Sequence, residues 1–218
     1  VEPVFADFDL YLSAFWLTIQ LFFWSALASL AFGTLLGALR VGPVAVMRRT
    51  AGTYVTVVRN TPLLIVFIFI FVVAPSLQWF VGTPFLVKGV IALSLYTSAF
   101  VCESVRSGIN AVPLGQAEAA RAIGMTFGDS MRHVILPQSF RAVVPPLASV
   151  LIALLKNTSV AAAFGLLEAT ARMRGFTNAN ADVRPEIFLL FALGYIVLVE
   201  ILSAGAWTLE RRWKVASR

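Results

Sequence analysis

Between Asp9 and Arg40 the chain carries no charged side chain, and residues 10–39 form one apolar run that includes Trp16 and Trp24. As a helix rising 1.5 Å per residue, that run is about 45 Å long, whereas the hydrocarbon core of a bilayer is about 30 Å thick. A helix that is apolar all round has to be buried all round, and lipid does this more readily than a small soluble core. Composition extends the argument to the whole chain: 59% of its 218 residues are hydrophobic and 13% charged, against about 25% charged in soluble domains. The first run is too long for a secretory signal core and no small-residue cleavage site follows it, so it reads as a span. Residues 1–218 thus form a single all-α, polytopic membrane domain.

Five stretches are candidates for crossing. They are residues 10–39; a second ending in 63–74; 85–105; a fourth from near Pro137 to about Leu155, broken at Pro145-Pro146; and 186–209. Residues 63–74 alone reach only about 18 Å, so the second span must recruit 52–62, which draws Arg59 into the membrane. Basic residues set the orientation. Arg40, Arg48 and Arg49, then Arg121, Arg132 and Arg141, then Arg211, Arg212, Lys214 and Arg218 fall on one side of a five-span chain, and Glu2, Asp7 and Asp9 on the other. The positive-inside bias puts the N-terminus outside and the C-terminus in the cytosol, with Arg172, Arg174 and Arg184 weakening the count but not reversing it. The net charge of +6 is explained by these flanks, and nucleic acid is not an expected partner. Cys102 stands alone, so no internal disulfide forms.

A polar segment at about 111–136 interrupts this pattern. Pro113 and Gly115 mark a turn. Residues 116–123 then read as a short helix with Glu118 in its first turn, where the helix dipole favours an acid. Gly124 ends it, as glycine does by reaching positive φ. Thr126 and Asp129 have the spacing of a capping box that starts a second helix, and Pro137 suits the first turn of the next span. The product is a stiff helix–turn–helix elbow on the cytosolic side.

Glu118-Ala119-Ala120, Gly124 after three more residues, and Val134-x-Leu136-Pro137 after nine more resemble the cytoplasmic signature loop of permease subunits of binding-protein-dependent ABC importers. Val134 stands where that family usually has Ile. Val58-Arg59-Asn60-Thr61-Pro62-Leu63, Glu103 to Ile109, Gly115-Gln116 and Lys156-Asn157-Thr158-Ser159 are similar to the polar-amino-acid branch. Arg-Asn-Thr-Pro in place of Arg-Gly-Thr-Pro resembles its glutamate/glutamine permeases. The resemblance implies a type I importer permease fold of five transmembrane helices in a bacterial inner membrane. It also implies a cytosolic ABC ATPase dimer that receives Glu118, Ala119, Ala120, Gly124, Leu136 and Pro137, an extracytoplasmic solute-binding protein, and an amino-acid substrate. ATP and magnesium then reside on the ATPase, and this chain holds neither cofactor nor metal. Because five spans are too few to enclose a path, a second permease chain, identical or homologous, is expected.

Ionisable groups inside a membrane are costly and usually face a partner or a water-filled path. Arg59, with Asn60 and Thr61 beside it, is open to two readings: a cation meeting the substrate's carboxylate, or a structural ion pair. Glu103 and Arg106, three residues apart, share a helical face and can pair. A break at Pro145-Pro146 lowers Lys156 toward mid-membrane, where Asn157, Thr158 and Ser159 then line the path. The second reading of the same residues is a polar cap on a span end. Glu200 is a lone acid in the fifth span with no assigned role, and His133 is read as an interfacial cap. No nucleophile–base pair, metal cluster or phosphate-binding Gly-x-x-x-x-Gly-Lys-Ser/Thr is present, so no catalytic residue is assigned. Three rivals remain: an ion-coupled amino-acid carrier relaying through Glu103, Glu200 and Arg59; an ABC permease for another small solute; and a non-transporting scaffold.

Overall fold

The computed structural model describes residues 2–214, and its described residues are helices and their connections. A short α1 (Glu2–Ala6) leads into α2 (Phe8–Val41), the long apolar run. α3 (Ala45–Arg59) and α4 (Leu63–Ser76) follow, then α5 (Phe85–Asn110) and the short α6 (Leu114–Ala122). α7 (Phe127–Phe164) is one helix with a π turn near its start and 3-10 turns at its end. α8 (Ala169–Ala179) and α9 (Arg184–Lys214) complete the chain. Arg218, one of the basic residues used above for orientation, lies outside the described residues.

Four helices are individually long and apolar enough to cross a bilayer: α2, α5, α7 and the one containing residues 184–211. The fifth crossing is made of two segments, as the short 63–74 run requires, with a sharp bend between them. α3 and α4 meet at 102°, and Arg59 is the last residue of α3 at that corner. Pro62 explains the break. It lacks an N–H and disfavours the helical region for Thr61 before it, and its own backbone is extended at φ −59°, ψ 139°.

The fourth span corrects an expectation. Helix runs through Pro145 and Pro146 without a break. Each proline removes one backbone hydrogen bond, but tertiary packing holds the helix on course. Val143 and Val144 are buried, and Gly108 of α5 lies so close to α7 that a Cβ there would sit 2.0 Å from the Val143 side chain. Neighbouring helices compensate prolines inside membranes in this way. Lys156 is therefore about 30 Å along the helix from Leu136. Leu154, two residues earlier, shares a buried cluster with Leu21 of α2 and Leu93 of α5. The lowering of Lys156 expected from a break at Pro145-Pro146 therefore does not occur.

Small residues make the central contact. A Cβ on Gly33 would lie 2.5 Å from that of Val101, and one on Gly37 2.8 Å from the Val105 side chain. α2 and α5 thus pack backbone to backbone, the arrangement favoured where lipid removes the hydrophobic drive between helices. A second cluster, Val4, Phe15, Ala169, Ile187 and Phe191, joins α1, α2, α8 and α9. A third, Leu36, Ala51, Val55, Ala99 and Cys102, seats α3 across α2 and α5. One stripe of α9 is bare: Leu189, Leu193, Val197 and Ile201, at four-residue spacing, are each more than half exposed.

Candidate functional site

The elbow has the geometry its sequence encodes. At the end of α6 the Gly124 amide donates to the Arg121 carbonyl and the Met125 amide to that of Ala120, with Gly124 at φ 86°. These paired bonds form a Schellman closure. Thr126 caps α7: its hydroxyl accepts from the Asp129 amide at 3.2 Å and donates to the Asp129 carboxylate at 2.6 Å. That hydroxyl bond and the backbone contact with Thr126 hold the Asp129 carboxyl below its ordinary range. Its charged form is therefore favoured in the folded elbow. The charge-assisted part of the cap, Thr126 donating to the Asp129 carboxylate, is at full strength at neutral pH and weakens only as pH falls through the lowered value.

One detail differs from expectation. α6 begins at Leu114, so Glu118 sits in its second turn and caps nothing. Glu118 and Ala119 are exposed, Ala120 is buried beneath them, and Gln138 of α7 donates to the Gln116 side chain to brace the two helices. Glu118 makes no hydrogen bond or ion pair with the described residues. Around it Leu114, Ile123 and Phe127 are each at least three-quarters exposed. Leu136 and Pro137, also exposed, border a cavity of about 670 Å³ against Val105 and Ile109 at the base of the elbow. His133 turns back onto its own helix, its Nδ1 3.1 Å from the Asp129 carbonyl.

The residues expected along a path separate into two groups. Glu103 is the centre of a cation cluster: Arg40 of α2 pairs with one carboxylate oxygen, Arg106 donates to the other at 3.0 Å, and Arg59 approaches at 3.6 Å. Arg40 lies 63 positions away in sequence, a pairing that local spacing does not reveal. The Arg59 guanidinium also lies 5.6 Å over the Phe100 ring. Asn60 and Thr61 turn back onto α3, donating to the carbonyls of Thr56 and Val57. This cluster fastens α2, α3 and α5 together.

The second group lies on the far end of α7. Thr158 is fully buried and donates to the Leu155 carbonyl. Asn157 borders a small cavity of about 170 Å³ with Tyr96, Thr97 and Phe100. Lys156 and Ser159 face an open cavity of about 500 Å³ between α7, α8 and α9, where Thr170, Tyr195 and Glu200 stand opposite. Neither Lys156 nor Glu200 forms an ion pair with a described residue.

Behind that cavity is a residue to which the sequence reading gave no role. Glu168 is fully buried and caps α8, its carboxylate accepting from the amides of Thr170 and Ala171, each at 3.0 Å. The same carboxylate accepts the Tyr195 hydroxyl at 2.7 Å, and Tyr195 is 3.0 Å from the Thr170 hydroxyl. The Ala169 amide donates to Thr18 of α2. The available signal was an acid directly before a helical Ala-Thr-Ala, in the position of an N-cap.

Comparison with known proteins follows the same outline. Residues 29–215 match the family described as binding-protein-dependent transport system inner membrane component. The chain is similar to the glutamate transport system permease protein GluC of Corynebacterium efficiens, 40% identical over 214 residues and 94% of each chain. It is similar also to the probable glutamine ABC transporter permease protein GlnM of Bacillus subtilis, 32% identical over 97% of each. Among solved structures, that of an amino acid ABC transporter with histidines superposes with a TM-score of 0.89 at 28% identity, covering 96% of this chain and 97% of that one. An inward-facing methionine transporter, MetNI, shares the fold at TM-score 0.76 and 23% identity, covering 97% and 98%.

Proposed function

The chain belongs to the family of binding-protein-dependent transport system inner membrane components, and from that membership we propose that it forms half of the path by which an importer moves a polar amino acid of the glutamine and glutamate type. It is a multi-pass inner-membrane permease and not an enzyme; ATP hydrolysis belongs to a partner chain, and a solute-binding protein supplies the substrate. In our reading the elbow faces the cytosol with the C-terminus and the N-terminus lies outside. A second permease chain, identical or homologous, completes the path against surfaces such as the bare stripe of α9.

The observation that carries the mechanism is the continuity of α7. One 38-residue helix begins at the elbow and ends beside the cavity, so a displacement at Phe127 is delivered about 44 Å away at Lys156 without a joint between them. Closure of the ATPase subunits on ATP pushes the elbow at Glu118, Ala119 and Ala120. Gly124 and the Thr126 cap keep its angle, and α7 tilts to open the cavity outward; hydrolysis resets the inward-facing form. A zwitterionic amino acid fits the cavity's two free charges, its carboxylate on Lys156 and its ammonium on Glu200, with Ser159 beside them. The exit side is bordered by Asn157, Phe100 and the Arg59 corner. An ion-coupled relay through Glu103 is disfavoured, because Arg40 and Arg106 already pair with its two carboxylate oxygens and Arg59 stands 3.6 Å away, which ties it into the joint between α2, α3 and α5.

The reading is tested in proteoliposomes holding the complete importer. Lys156→Gln is expected to lower ATP-dependent glutamine uptake by about 10- to 100-fold, the range for losing one charged hydrogen bond, with unchanged insertion and unchanged basal ATP hydrolysis. Uptake at the wild-type rate in both Lys156→Gln and Glu200→Gln would remove the cavity from the transport path.

A further inference from the structure

The cavity of about 670 Å³ at the base of the elbow lies off the substrate path. Thr34 of α2, Val105 and Ile109 of α5, and Val143 and Leu147 of α7 border it. Val105 and Ile109 stand nine residues beyond Tyr96 and Phe100 respectively, about two and a half helical turns. They therefore occupy the opposite face of α5 from the small cavity bordered by Tyr96, Phe100 and Asn157, and that face turns away from the path toward the bilayer. Toward the other end of the bundle the same three helices close up, with Leu21, Leu93 and Leu154 in one buried cluster. The result is a groove that opens at the elbow. From Leu136 to Leu147 its wall is about 16 Å long, close to the 15 Å or so of hydrocarbon in one leaflet. Two polar groups are set in this apolar wall. Ser139 is 2% exposed, and its Oγ has no hydrogen-bond partner. Ser104 of α5, by contrast, donates to the Phe100 carbonyl four residues back at 3.1 Å. Buried hydroxyls are almost always paired, so Ser139 marks a wall that a polar ligand atom completes. Arg141 also borders the groove and forms no hydrogen bond or ion pair with a described residue. A helical side chain leans toward the N-terminal end of its helix, here the elbow end, which carries this guanidinium toward the membrane surface.

We propose that this groove holds one anionic phospholipid of the cytosolic leaflet. An acyl chain lies along Val105, Ile109 and Leu147, the phosphate sits on Arg141, and an ester oxygen accepts from Ser139. The inference rests on the orientation assigned above, with the elbow in the cytosol. Basic pockets between helices on the cytoplasmic side bind anionic headgroups in this way. A zwitterionic lipid offers the same chains and esters without the net charge. It keeps the apolar contact and the Ser139 bond but gains less from Arg141, and one basic residue near the surface accounts for about a fivefold difference.

The test places the complex of permease and ATPase in nanodiscs of phosphatidylglycerol and phosphatidylcholine with identical acyl chains, and counts the lipids retained on release by native mass spectrometry. Wild type is expected to retain phosphatidylglycerol in preference to phosphatidylcholine. Arg141→Gln should lose about fivefold of that preference, with its thermal midpoint in detergent at the wild-type value. Ser139→Ala should weaken retention of both lipids, and Thr34→Trp, which fills the groove from α2, should release the bound lipid. The same preference in wild type and Arg141→Gln overturns the proposal, as does retention that Thr34→Trp leaves unchanged. A short crosslink from Thr34→Cys to a second permease chain also overturns it, by making the groove a protein interface. Labelling of Ala119→Cys by an impermeant maleimide in right-side-out vesicles would instead overturn the orientation, and with it the leaflet named here.

Discussion

Leucine at position 33 is expected to leave the chain without its central helix pair. Gly33 meets α5 so closely that its new Cβ would lie 2.5 Å from the Val101 Cβ and 2.6 Å from the Ser98 carbonyl oxygen. The second obstacle is backbone, which no rotamer change moves. α2 and α5 must part along the contact that also seats Gly37 and α3, and with them go the packing and the Arg40–Glu103 pair. Overpacking alone costs about 1–3 kcal/mol, and the leucine occupies space that even alanine does not fit. We expect little monodisperse protein by fluorescence-detected size exclusion and a thermal midpoint well below wild type. Gly175→Ala is the control, since a Cβ there meets nothing within 4 Å and exchanges glycine for a better helix former.

The second large effect is the converse, a loss of function without loss of the fold. Glu118→Lys reverses an exposed charge that no described residue neutralises, and Gly124→Val forces a β-branched residue into φ 86° where open space removes any clash. The valine costs about 1–2 kcal/mol locally and is relieved by turning α6 relative to α7. In reconstituted importer both variants should insert and melt like wild type. Uptake and transport-stimulated ATP hydrolysis should each fall by about tenfold or more, as expected when 1.4 kcal/mol or more of a docking contact is lost. Wild-type uptake by either variant would count heavily against the elbow as the lever.

How much of this was legible beforehand depends on the range of the interactions. The apolar run and the elbow are local: hydrophobic length, a glycine stop and a Thr/Asp cap are written within a few residues, and the corner at Pro62 follows from proline's own geometry. The continuity of α7 was not legible. Adjacent prolines read as a break, and what overrides them is Val143 against Gly108, 35 positions away in sequence. The partners of Glu103 were half visible, since Arg106 lies one turn away whereas Arg40 and Arg59 arrive from other helices. Glu168 was missed because an acid in a connection reads as solvated, and only the seating of α8 on Thr18 and Tyr195 buries it.

Coupled transport requires α6 and the start of α7 to lie against the ATPase, and the cysteine content of the chain makes that contact directly measurable. The sole cysteine, Cys102, is buried, so Ala119→Cys adds the one exposed thiol among the described residues. Short bifunctional crosslinking of that variant in membranes, followed by mass spectrometry, should join position 119 to a nucleotide-hydrolysing subunit, with a yield that changes between ATP-bound and nucleotide-free states. Crosslinks from position 119 that never reach such a subunit, in either state, would contradict the account at its base.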